Sequence, residues 1–400
     1  MNGTEPRIRF KEFGGEWEAD LLSRHLSASE ERNENNRYGA ADVFSVSREH
    51  GVVNQIEFQG RSFAGASLLG YRVIHKGQVA YTKSPLKAAP YGIVKADKTK
   101  SGIVSALYGV YDAIADADFV QTFFENDDRL NAYLRPLVNK GAKNTLLVSD
   151  EDALSGEVRF PSLPEQQRIA ELFRNLDETI AATDARLEKL RQSKKSLLEK
   201  MFPRPGASVP EIRFKGFEGE WEQKRLQEIV EFNPSARLPE CFEYVDLESV
   251  VGNQMTFHRR VLRKTAPSRA QRLAKRGDVF FQTVRPYQQN NYLFDLESKV
   301  AFVFSTGYAQ MRGAQNSPFL LSALQSKPFL CDVLNNCTGS GYPAISDSRL
   351  SELSISIPSL PEQQRIGAFF CEFDKLIESV QKKAAKLRQV KSALLEEMFV

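Results

Sequence analysis

The chain has 400 residues, of which 42% are hydrophobic and 26% charged, and its formal net charge is +3. This composition excludes a disordered scaffold and indicates two or three domains with apolar cores, while so small a net charge does not by itself indicate a nucleic-acid partner. No apolar run approaches the length of a membrane span and residues 1–10 are polar, so we expect a cytoplasmic protein without a membrane segment or a secretory signal.

The first recognisable element is a short motif at residues 8–18 that recurs at residues 212–222, an offset of 204 residues. Both copies begin with Ile-Arg-Phe-Lys and end in Gly-Glu-Trp-Glu, and they contain the two tryptophans of the chain, Trp17 and Trp221. We expect each tryptophan to be packed where the chain enters a domain, in preference to a role in stacking on bases.

Each tryptophan motif precedes a region of short strand-like runs separated by turn residues. The first half has candidate strands at residues 42–46, 51–53, 71–74, 78–81 and 103–108, followed by a helical segment at 119–134. The second half has candidates at 244–247, 278–281 and 300–304, followed by a helical segment at 318–334. Because the order of elements is the same, each region is predicted to be one mixed α/β domain.

A second repeat, Ser-Leu-Pro-Glu-Gln-Gln-Arg-Ile, begins at Ser162 and again at Ser359, an offset of 197 residues. The serine and the glutamate three residues later fit a capping box with proline in the first turn, so each copy predicts the start of a helix. Apolar residues then recur in steps of four and three, which predicts a narrow seam that needs a partner helix. The predicted seam consists of Ile169, Phe173, Leu176, Ile180, Leu187, Leu190, Leu197, Ile366, Phe370, Phe373, Ile377, Val380, Leu387 and Leu394.

Each predicted helix continues for roughly 38 residues, or about 57 Å at 1.5 Å per residue. An amphipathic helix lying on a globular core is the alternative, but such helices are seldom this long, so pairing into a coiled coil is favoured. Both copies place a lysine at the same seam position, Lys194 and Lys391. Gly367, in the first turns of the second copy, is expected to cost about 1 kcal/mol relative to alanine.

These repeats define four segments. Residues 1–161 and 203–358 are predicted to be two domains, and residues 162–202 and 359–400 two long helices, with a linker rich in proline and glycine at residues 203–210. The predicted fold class is therefore α/β (α+β), with a pseudo-two-fold internal duplication. Cys241, Cys331, Cys337 and Cys371 lack the spacing of a metal site, so we expect reduced thiols and no metal.

Basic residues cluster at equivalent places in the two domains. Residues 58–96 contain no acidic residue but include Arg61, Lys76, Lys83 and Lys87, and residues 258–277 combine eight lysines and arginines with no acid. Residues 282–291 follow, rich in amides that can bond to bases and phosphates. A solvated basic face is the alternative for one such run, but two equivalent runs favour contact with DNA.

Motifs for catalysis are missing from the sequence. It has no P-loop, no glycine-rich dinucleotide loop, no zinc-protease motif and no nucleophile elbow. Residues 233–236, Asn-Pro-Ser-Ala, lack the second proline and the aromatic residue of a DNA amino-methyltransferase motif. We therefore expect a non-catalytic chain without a cofactor of its own.

The doubled Leu-Pro-Glu-Gln-Gln-Arg-Ile helix and the doubled motif ending in Gly-Glu-Trp-Glu resemble the specificity subunits of type I restriction-modification systems. Residues 76–84 and 276–285 are similar to a segment common in the recognition domains of that family. The resemblance implies two target-recognition domains, each reading one half of a bipartite site in double-stranded DNA, held apart by a pair of long antiparallel helices. It also implies two methylation subunits, nuclease-translocase subunits that join for restriction, and a methyl donor and ATP bound by those partners.

A tandem duplication placed on a two-fold axis makes its two helices antiparallel, so that identical seams satisfy each other. A rod of ~57 Å corresponds to about 17 base pairs, so the helix pair is expected to act as a ruler between half-sites.

Candidate DNA-binding residues follow from this resemblance and from side-chain chemistry. For bases we expect contacts from the following residues: Tyr81, Lys83, Ser84, Gln282, Arg285, Tyr287, Gln288 and Asn290. For phosphates we expect Arg259, Arg260, Arg263 and Lys264. Arg61, Lys76 and Lys87 are further DNA-binding candidates in the first domain. Loops before the helices add further candidates: Lys140, Lys143, Asn144, Ser340 and Tyr342.

Two other classes of protein remain open at this point. A coiled-coil scaffold whose domains bind proteins would use the basic faces only for solubility. A self-contained methyltransferase would have to bind the methyl donor without the missing motifs. The sequence does not indicate the DNA target, the spacer or whether the DNA is bent.

Overall fold

The computed structural model describes residues 4–34, 36–65, 67–83, 89–140, 146–339 and 341–400. The chain forms two compact units: unit 1 is Met1–Thr183 with Lys383–Val400, and unit 2 is Asp184–Lys382. This division differs from the four predicted segments because each unit combines one globular region with parts of both long helices. Within the described part of the chain, no helix is both long and apolar enough to cross a bilayer.

The first half of the chain consists of short strands and helices that lead into a long helix. The strands are β1 Glu18–Leu21, β2 Leu26–Ala28, β3 Phe44–Ser47, β4 Gly51–Asn54, β5 Arg72–Ile74, β6 Val79–Thr82, β7 Val94–Ala96, β8 Gly102–Val104, β9 Tyr108–Ala113, β10 Asn139–Lys140, β11 Leu146–Leu147 and β12 Glu157–Phe160. The helices are α1 Gln55–Gln59, α2 Ala117–Phe123, α3 Asp127–Leu134, α4 Asp150–Leu154 and the long α5 Leu163–Lys200.

The second half follows the same plan. Its strands are β13 Glu222–Arg225, β14 Glu231–Phe232, β15 Cys241–Val245, β16 Val250–Val251, β17 Gln254–Met255, β18 Arg259–Leu262, β19 Ala270–Leu273, β20 Val279–Gln282, β21 Tyr292–Leu293, β22 Phe302–Ser305, β23 Tyr308–Arg312 and β24 Ser354–Ile357. Its helices are α6 Leu226–Ile229, α7 Ser317–Leu324, α8 Lys327–Asn335, α9 Asp347–Glu352 and the long α10 Leu360–Glu397.

The sheets reveal the duplication that sequence similarity no longer shows between the repeats. Unit 1 has a four-stranded sheet in the order β2-β9-β6-β7, and unit 2 has one in the equivalent order β14-β23-β20-β21. The antiparallel pair β1-β12, which joins the two ends of the first globular region, has its counterpart in β13-β24. Each predicted helical segment after the strands is divided in two. In unit 1 the Asn126 side chain caps the second helix by accepting from the backbone N–H of Arg129, and in unit 2 the second helix begins with a proline in its first turn.

Each core is organised around its tryptophan, as the sequence predicts. Trp17 and Trp221 are 2% and 3% exposed. The core of unit 1 includes Phe399, near the end of α10, and the core of unit 2 includes Phe202, just after α5. The end of each long helix therefore completes the core of a globular region.

The two long helices pack antiparallel within each unit. In unit 1 the rings of Phe173 and Phe399 lie 5.9 Å apart, and in unit 2 those of Phe202 and Phe370 lie 6.3 Å apart. Residue numbers thus rise along one helix as they fall along the other. The fourteen predicted seam residues are all buried or half-buried, and the predicted fold class of mixed domains with a long helix pair is confirmed.

The two repeated motifs are kept together by an ion pair. The Arg9 guanidinium donates to both carboxylate oxygens of Glu165 at 2.8 Å, and Arg213 donates to both oxygens of Glu362 at 2.7 Å. Both glutamates are 1% exposed. The capping-box role predicted for them is wrong in this respect, because each carboxylate is held by the arginine of the preceding tryptophan motif.

Gly367 has a packing reason that helix propensity does not reveal. A Cβ added there would lie 2.5 Å from Asn316 Oδ1 and 2.7 Å from the Phe319 backbone nitrogen. Asn316 caps α7 by accepting from that same nitrogen. The glycine therefore allows α10 to approach the N-terminus of α7 closely.

Candidate nucleic-acid interface

The loop after β20, residues 283–291, has an unusual backbone. Arg285 and Gln289 have φ angles of 54° and 53°, in the left-handed region that residues other than glycine seldom adopt. Between them, Pro286–Gln288 forms one turn of 3-10 helix. Such backbone strain persists only where surrounding contacts fix it, and it clusters at ligand-binding sites.

Gln282 provides those surrounding contacts. Its Nε2 donates to the Val284 carbonyl at 2.7 Å and to Gln288 Oε1 at 2.9 Å. Its Oε1 accepts from the Asn290 backbone N–H at 3.3 Å. The side chain is 2% exposed, so the prediction that Gln282 reads bases is wrong: its amide bonds to the loop from the inside.

Gln288 and Asn290 share this internal role in part. Asn290 is half-buried, and its Oδ1 accepts from the backbone N–H of Gly252 at 2.9 Å. Gln288 is exposed, although its Oε1 accepts from Gln282.

The loop displays an arginine stacked on a tyrosine. The Arg285 guanidinium carbon lies 4.5 Å from the centre of the Tyr342 ring, and the Arg285 backbone N–H donates to the Pro343 carbonyl at 2.7 Å. Tyr342 and Tyr287 are 68% and 52% exposed. An arginine held flat on a ring keeps its donors free for a bidentate contact with guanine, and exposed tyrosines can stack or bond to bases.

Strand β18 forms a basic edge in the same unit. It is the terminal strand of the four-stranded sheet β18-β15-β22-β19. Arg259 and Arg260 on this strand, and Arg263 and Lys264 in the turn after it, are exposed. They remain candidates for contact with phosphates, because long exposed cations can follow a charged backbone without reading its sequence.

Two other arginines of the predicted basic run, Arg272 and Arg276, are already paired. Arg276 donates to Asp295 at 2.7 Å and to Glu297 at 2.6 Å, and Arg272 lies 3.2 Å from Asp347. These ion pairs make Arg272 and Arg276 weaker candidates for contact with phosphates than the exposed cations of the β18 edge.

Two predicted base contacts of unit 1 have structural roles. Tyr81 is 1% exposed, its hydroxyl donates to the Tyr91 carbonyl at 2.7 Å, and burial raises its pKa. The Lys83 ammonium lies 2.9 Å from Asp150 Oδ1, and Arg72 donates to the other oxygen. Burial raises the pKa of Asp150, but Lys83 and Arg72 outweigh burial and hold it below its ordinary value. The base-reading role predicted for Tyr81 and Lys83 is therefore wrong in this structure.

The remaining candidates of unit 1 are less defined. Lys76 is exposed in the turn before β6, and Arg61 is exposed with its guanidinium 4.6 Å from the centre of the Phe63 ring. Lys140 lies at the end of β10. Ser84, Lys87, Lys143, Asn144 and Ser340 lie outside the described residues.

Two residues that hold the predicted site residues in place, Asp150 and Asn291, were not predicted from the sequence. Asn291 is 1% exposed, and its Oδ1 accepts from the Gln282 backbone N–H at 2.9 Å. The Ser149 capping box marks Asp150 as the first residue of a helix, but no local pattern connects it to Lys83, 67 positions earlier.

The geometry defines a class of protein: two duplicated mixed domains on an antiparallel helix pair, with a rigid polar loop and a basic edge. Residues 218–389 match the family model described as "Type I restriction modification DNA specificity domain". Residues 218–389, in the second half of the chain, are therefore similar to the DNA specificity domain of type I restriction-modification systems.

Individual relatives are distant. The curated "Type I restriction enzyme MjaVIII specificity subunit" of Methanocaldococcus jannaschii is 20% identical over 258 residues, and the match spans 60% of this chain and 60% of that protein. The crystal structure of the S subunit of a type I restriction-modification system from M. genitalium has a TM-score of 0.62 and 14% identity, covering 99% of each chain.

A structure from work on complex assembly and conformational transition of the type I R-M system has a TM-score of 0.52 and 18% identity, covering 96% of this chain and 97% of that one. At these identities the structural likeness establishes the fold.

Proposed function

We propose that this chain is the DNA-specificity subunit of a type I restriction-modification complex, in which each globular region binds one half of a bipartite site in double-stranded DNA. The observation that carries the proposal is the loop at residues 283–291, which the hydrogen bonds of the buried Gln282 hold in place. Tyr287 of this loop and the neighbouring Tyr342 are exposed, and the half-buried Arg285 lies over the Tyr342 ring. Fixed polar groups on a rigid scaffold are what direct readout of base edges requires.

The β18 edge would supply the sequence-independent part of the affinity. Four exposed cations along one strand and its turn suit the phosphates of one duplex backbone. In this assignment Arg285 carries specificity, whereas Arg263 and Lys264 carry affinity. Losing a phosphate contact would weaken all DNA sequences alike.

The chain would perform no chemistry itself. Two methylation subunits would bind the duplicated helix pair and provide the methyl-donor site, and nuclease-translocase subunits would provide the ATP site. A duplicated chain suits this arrangement because it offers equivalent surfaces twice.

The helix pair would set the spacer between half-sites. Each helix has 38 residues, about 57 Å or 17 base pairs of duplex. Removing or adding two heptads in both helices is expected to change the tolerated spacer without changing the bases read. Methylation mapping that shows an unchanged spacer with normal activity would exclude this role.

The cationic edge can be tested with matched double variants in the complex with methylation subunits. Arg263→Ala with Lys264→Ala is expected to lower the slope of log affinity against log salt by about 2, since each lost phosphate contact removes about 0.9. Lys224→Ala with Arg349→Ala is the control, because these exposed cations pair with Glu222 and Glu352 away from β18.

A mobility-shift assay across salt concentrations measures both quantities. An unchanged slope and affinity in the Arg263/Lys264 variant would remove the phosphate assignment. A complex without any DNA affinity would favour the alternative of a protein-binding scaffold.

A further inference from the structure

Two lysines interrupt the otherwise apolar seam of the helix pair. Lys194 on α5 and Lys391 on α10 are separated by the repeat offset of 197 residues. Their side chains are only 13% and 14% exposed. Burying a lysine ammonium costs free energy unless a carboxylate lies next to it, so each lysine should have a carboxylate partner.

The partners are reciprocal across the pair. In unit 2, Lys194 Nζ lies 2.6 Å from Asp374 Oδ1 on α10. In unit 1, Lys391 Nζ lies 2.6 Å from Asp177 Oδ1 on α5. Asp177 and Asp374 are also 197 residues apart. Lysine on one helix faces aspartate on the other in both units, which is the signature of a two-fold, self-complementary contact.

Each pair also contacts the globular region of its own unit. Glu125, after α2, accepts from Lys391 at 2.8 Å, and Gln325, after α7, accepts from Lys194 at 3.2 Å. Asn253 Nδ2 donates to Asp374 at 2.8 Å. Three elements, the two helices and the globular region, therefore meet at one polar cluster in each unit.

Further charged groups act at the unit 1 cluster. Burial lowers the pKa of Lys95 on β7, which also interacts with Glu125, Lys391, Asp177 and Arg48. Burial also lowers the pKa of Lys391, but Glu125 and Asp177 outweigh it and the pKa of Lys391 is raised. The carboxylates of Glu125 and Asp177 thus offset the burial of more than one cation.

An apolar seam alone does not determine register. If one helix moved by a heptad, apolar residues would still meet apolar residues, because the seam repeats every seven positions. Lys194, however, would face Gln381 or Gly367 instead of Asp374. A covered ammonium would lose its carboxylate, and Asp374 would lose its cation. Polar groups in coiled-coil seams select register in this way, at some cost in stability.

We propose that the two Lys–Asp pairs select the register of the helix pair and fix the seating of each recognition domain on it, so that they determine the spacer of the DNA site. The spacer part rests on the proposed function. The register part concerns the chain alone, so the two can be tested separately.

The test uses the full chain in complex with its methylation subunits. Lys194→Met with Asp374→Met removes one pair and keeps apolar bulk in the seam. If the pair only adds stability, this variant should methylate DNA at the native spacer. If the pair selects the register, the variant should methylate sites with more than one spacer. Lys382→Met with Glu378→Met is the control, since this pair is exposed and lies within α10, and it should retain a single spacer.

Exchanging the charges distinguishes register from folding. Lys194→Asp alone places two carboxylates together and should broaden the spacer distribution or abolish methylation. Adding Asp374→Lys restores an opposite pair and should restore a single spacer. Native, single-spacer methylation by the double-methionine variant, or failure of the exchange to rescue a folded protein, would overturn the proposal.

A disulfide crosslink reads the register without DNA. Leu187 and Val380 belong to one buried cluster of the helix pair, so Leu187→Cys with Val380→Cys should crosslink within the native chain. The yield should fall several-fold when Lys194 and Asp374 are both methionine. An unchanged crosslink yield in the double-methionine variant would reject the register role. If the yield falls but the wild-type complex methylates no bipartite site, the register role stands and the proposed function is rejected.

Discussion

Replacing Phe399 with alanine should destabilise unit 1 although this residue is the penultimate one in the chain. Its ring contacts Trp17, Phe119, Phe123 and Phe173, with centroids 5.7–6.2 Å apart. All of these rings belong to the core of unit 1. The prediction therefore tests whether the end of α10 is part of the core of unit 1.

The expected loss in the free energy of unfolding is large because Phe399 is only 6% exposed and other rings surround it. Truncating a buried phenylalanine to alanine costs about 3–5 kcal/mol. In a unit of this size, 1 kcal/mol corresponds to about 2–4 °C in melting temperature, so a decrease of roughly 10 °C is expected. The Arg129 guanidinium, 4.7 Å from the same ring, would also lose its stacking partner; burial lowers its pKa to about 10.

The tryptophans provide one fluorescent reporter for each unit. In a Trp221→Phe background, Trp17 reports the unfolding of unit 1, and in a Trp17→Phe background, Trp221 reports unit 2. Phe202→Ala is the matched control, since its ring lies 5.9 Å from that of Trp221 and belongs to the core of unit 2. Denaturant unfolding followed by fluorescence gives the free energy of each transition.

Phe399→Ala should shift the Trp17 transition more than the Trp221 transition, and Phe202→Ala should do the reverse. A loss below about 1 kcal/mol in the Trp17 transition would refute the antiparallel arrangement, because the side chain would then lie outside that core.

Two further predictions concern the loop and pH. Gln282→Leu keeps the side-chain volume but removes the hydrogen bonds to Val284, Gln288 and Asn290. Each lost hydrogen bond costs roughly 1 kcal/mol, so the affinity of the complex for its specific DNA, measured by titration, should fall about tenfold or more. Burial lowers the pKa of His25 below the ordinary 6.5. The unfolded chain therefore binds a proton at this residue more readily than the folded chain does. Unit 1 should lose stability as the pH falls from about 6.5 through the lower pKa of the folded state.

Controls separate these effects from general damage. Gln288→Ala, at an exposed amide of the same loop, should weaken binding less than Gln282→Leu, and equal affinity of Gln282→Leu and wild type would show that the loop needs no internal support. For the pH effect, His25→Gln should flatten the dependence of the unfolding free energy between pH 7 and 5. A profile identical to that of the wild type would exclude His25 as its origin.

The long helices were predictable because their signals are local. Capping residues and a seam with a step of seven positions lie within the segment itself, and the predicted helices at 162–202 and 359–400 correspond to Leu163–Lys200 and Leu360–Glu397. Strand β20, Val279–Gln282, was likewise predicted to within one residue at 278–281. The antiparallel partnership followed from duplication and symmetry.

Side-chain direction was less predictable. Gln282 belongs to a polar segment, and the sequence does not indicate that its amide points inward to bond three loop residues. Tyr81 and Lys83 were assigned to bases for the same reason, whereas partners distant in sequence, Tyr91 and Asp150, hold them. Composition identifies residues able to contact DNA, but burial decides which of them are free to do so.

Long-range pairs give the repeated motifs contacts that local patterns do not indicate. The ion pair between Arg9 and Glu165 joins two motifs that are 156 positions apart, and the capping-box pattern suggested a different partner for the glutamate. Gly367 was expected to weaken its helix, but the close approach of α7 requires the glycine. In both cases the tertiary contact overrides the local preference.

The central claim is that each recognition domain reads one half of a divided DNA site. Its most direct test is mapping of methylated bases in DNA treated with the complex, for the wild type and for Arg285→Ala with Tyr342→Ala. A bipartite motif is expected for the wild type, and the variant should relax base preference in one half while the other half and the spacer stay unchanged. A continuous motif, or relaxation in both halves at once, would contradict the claim.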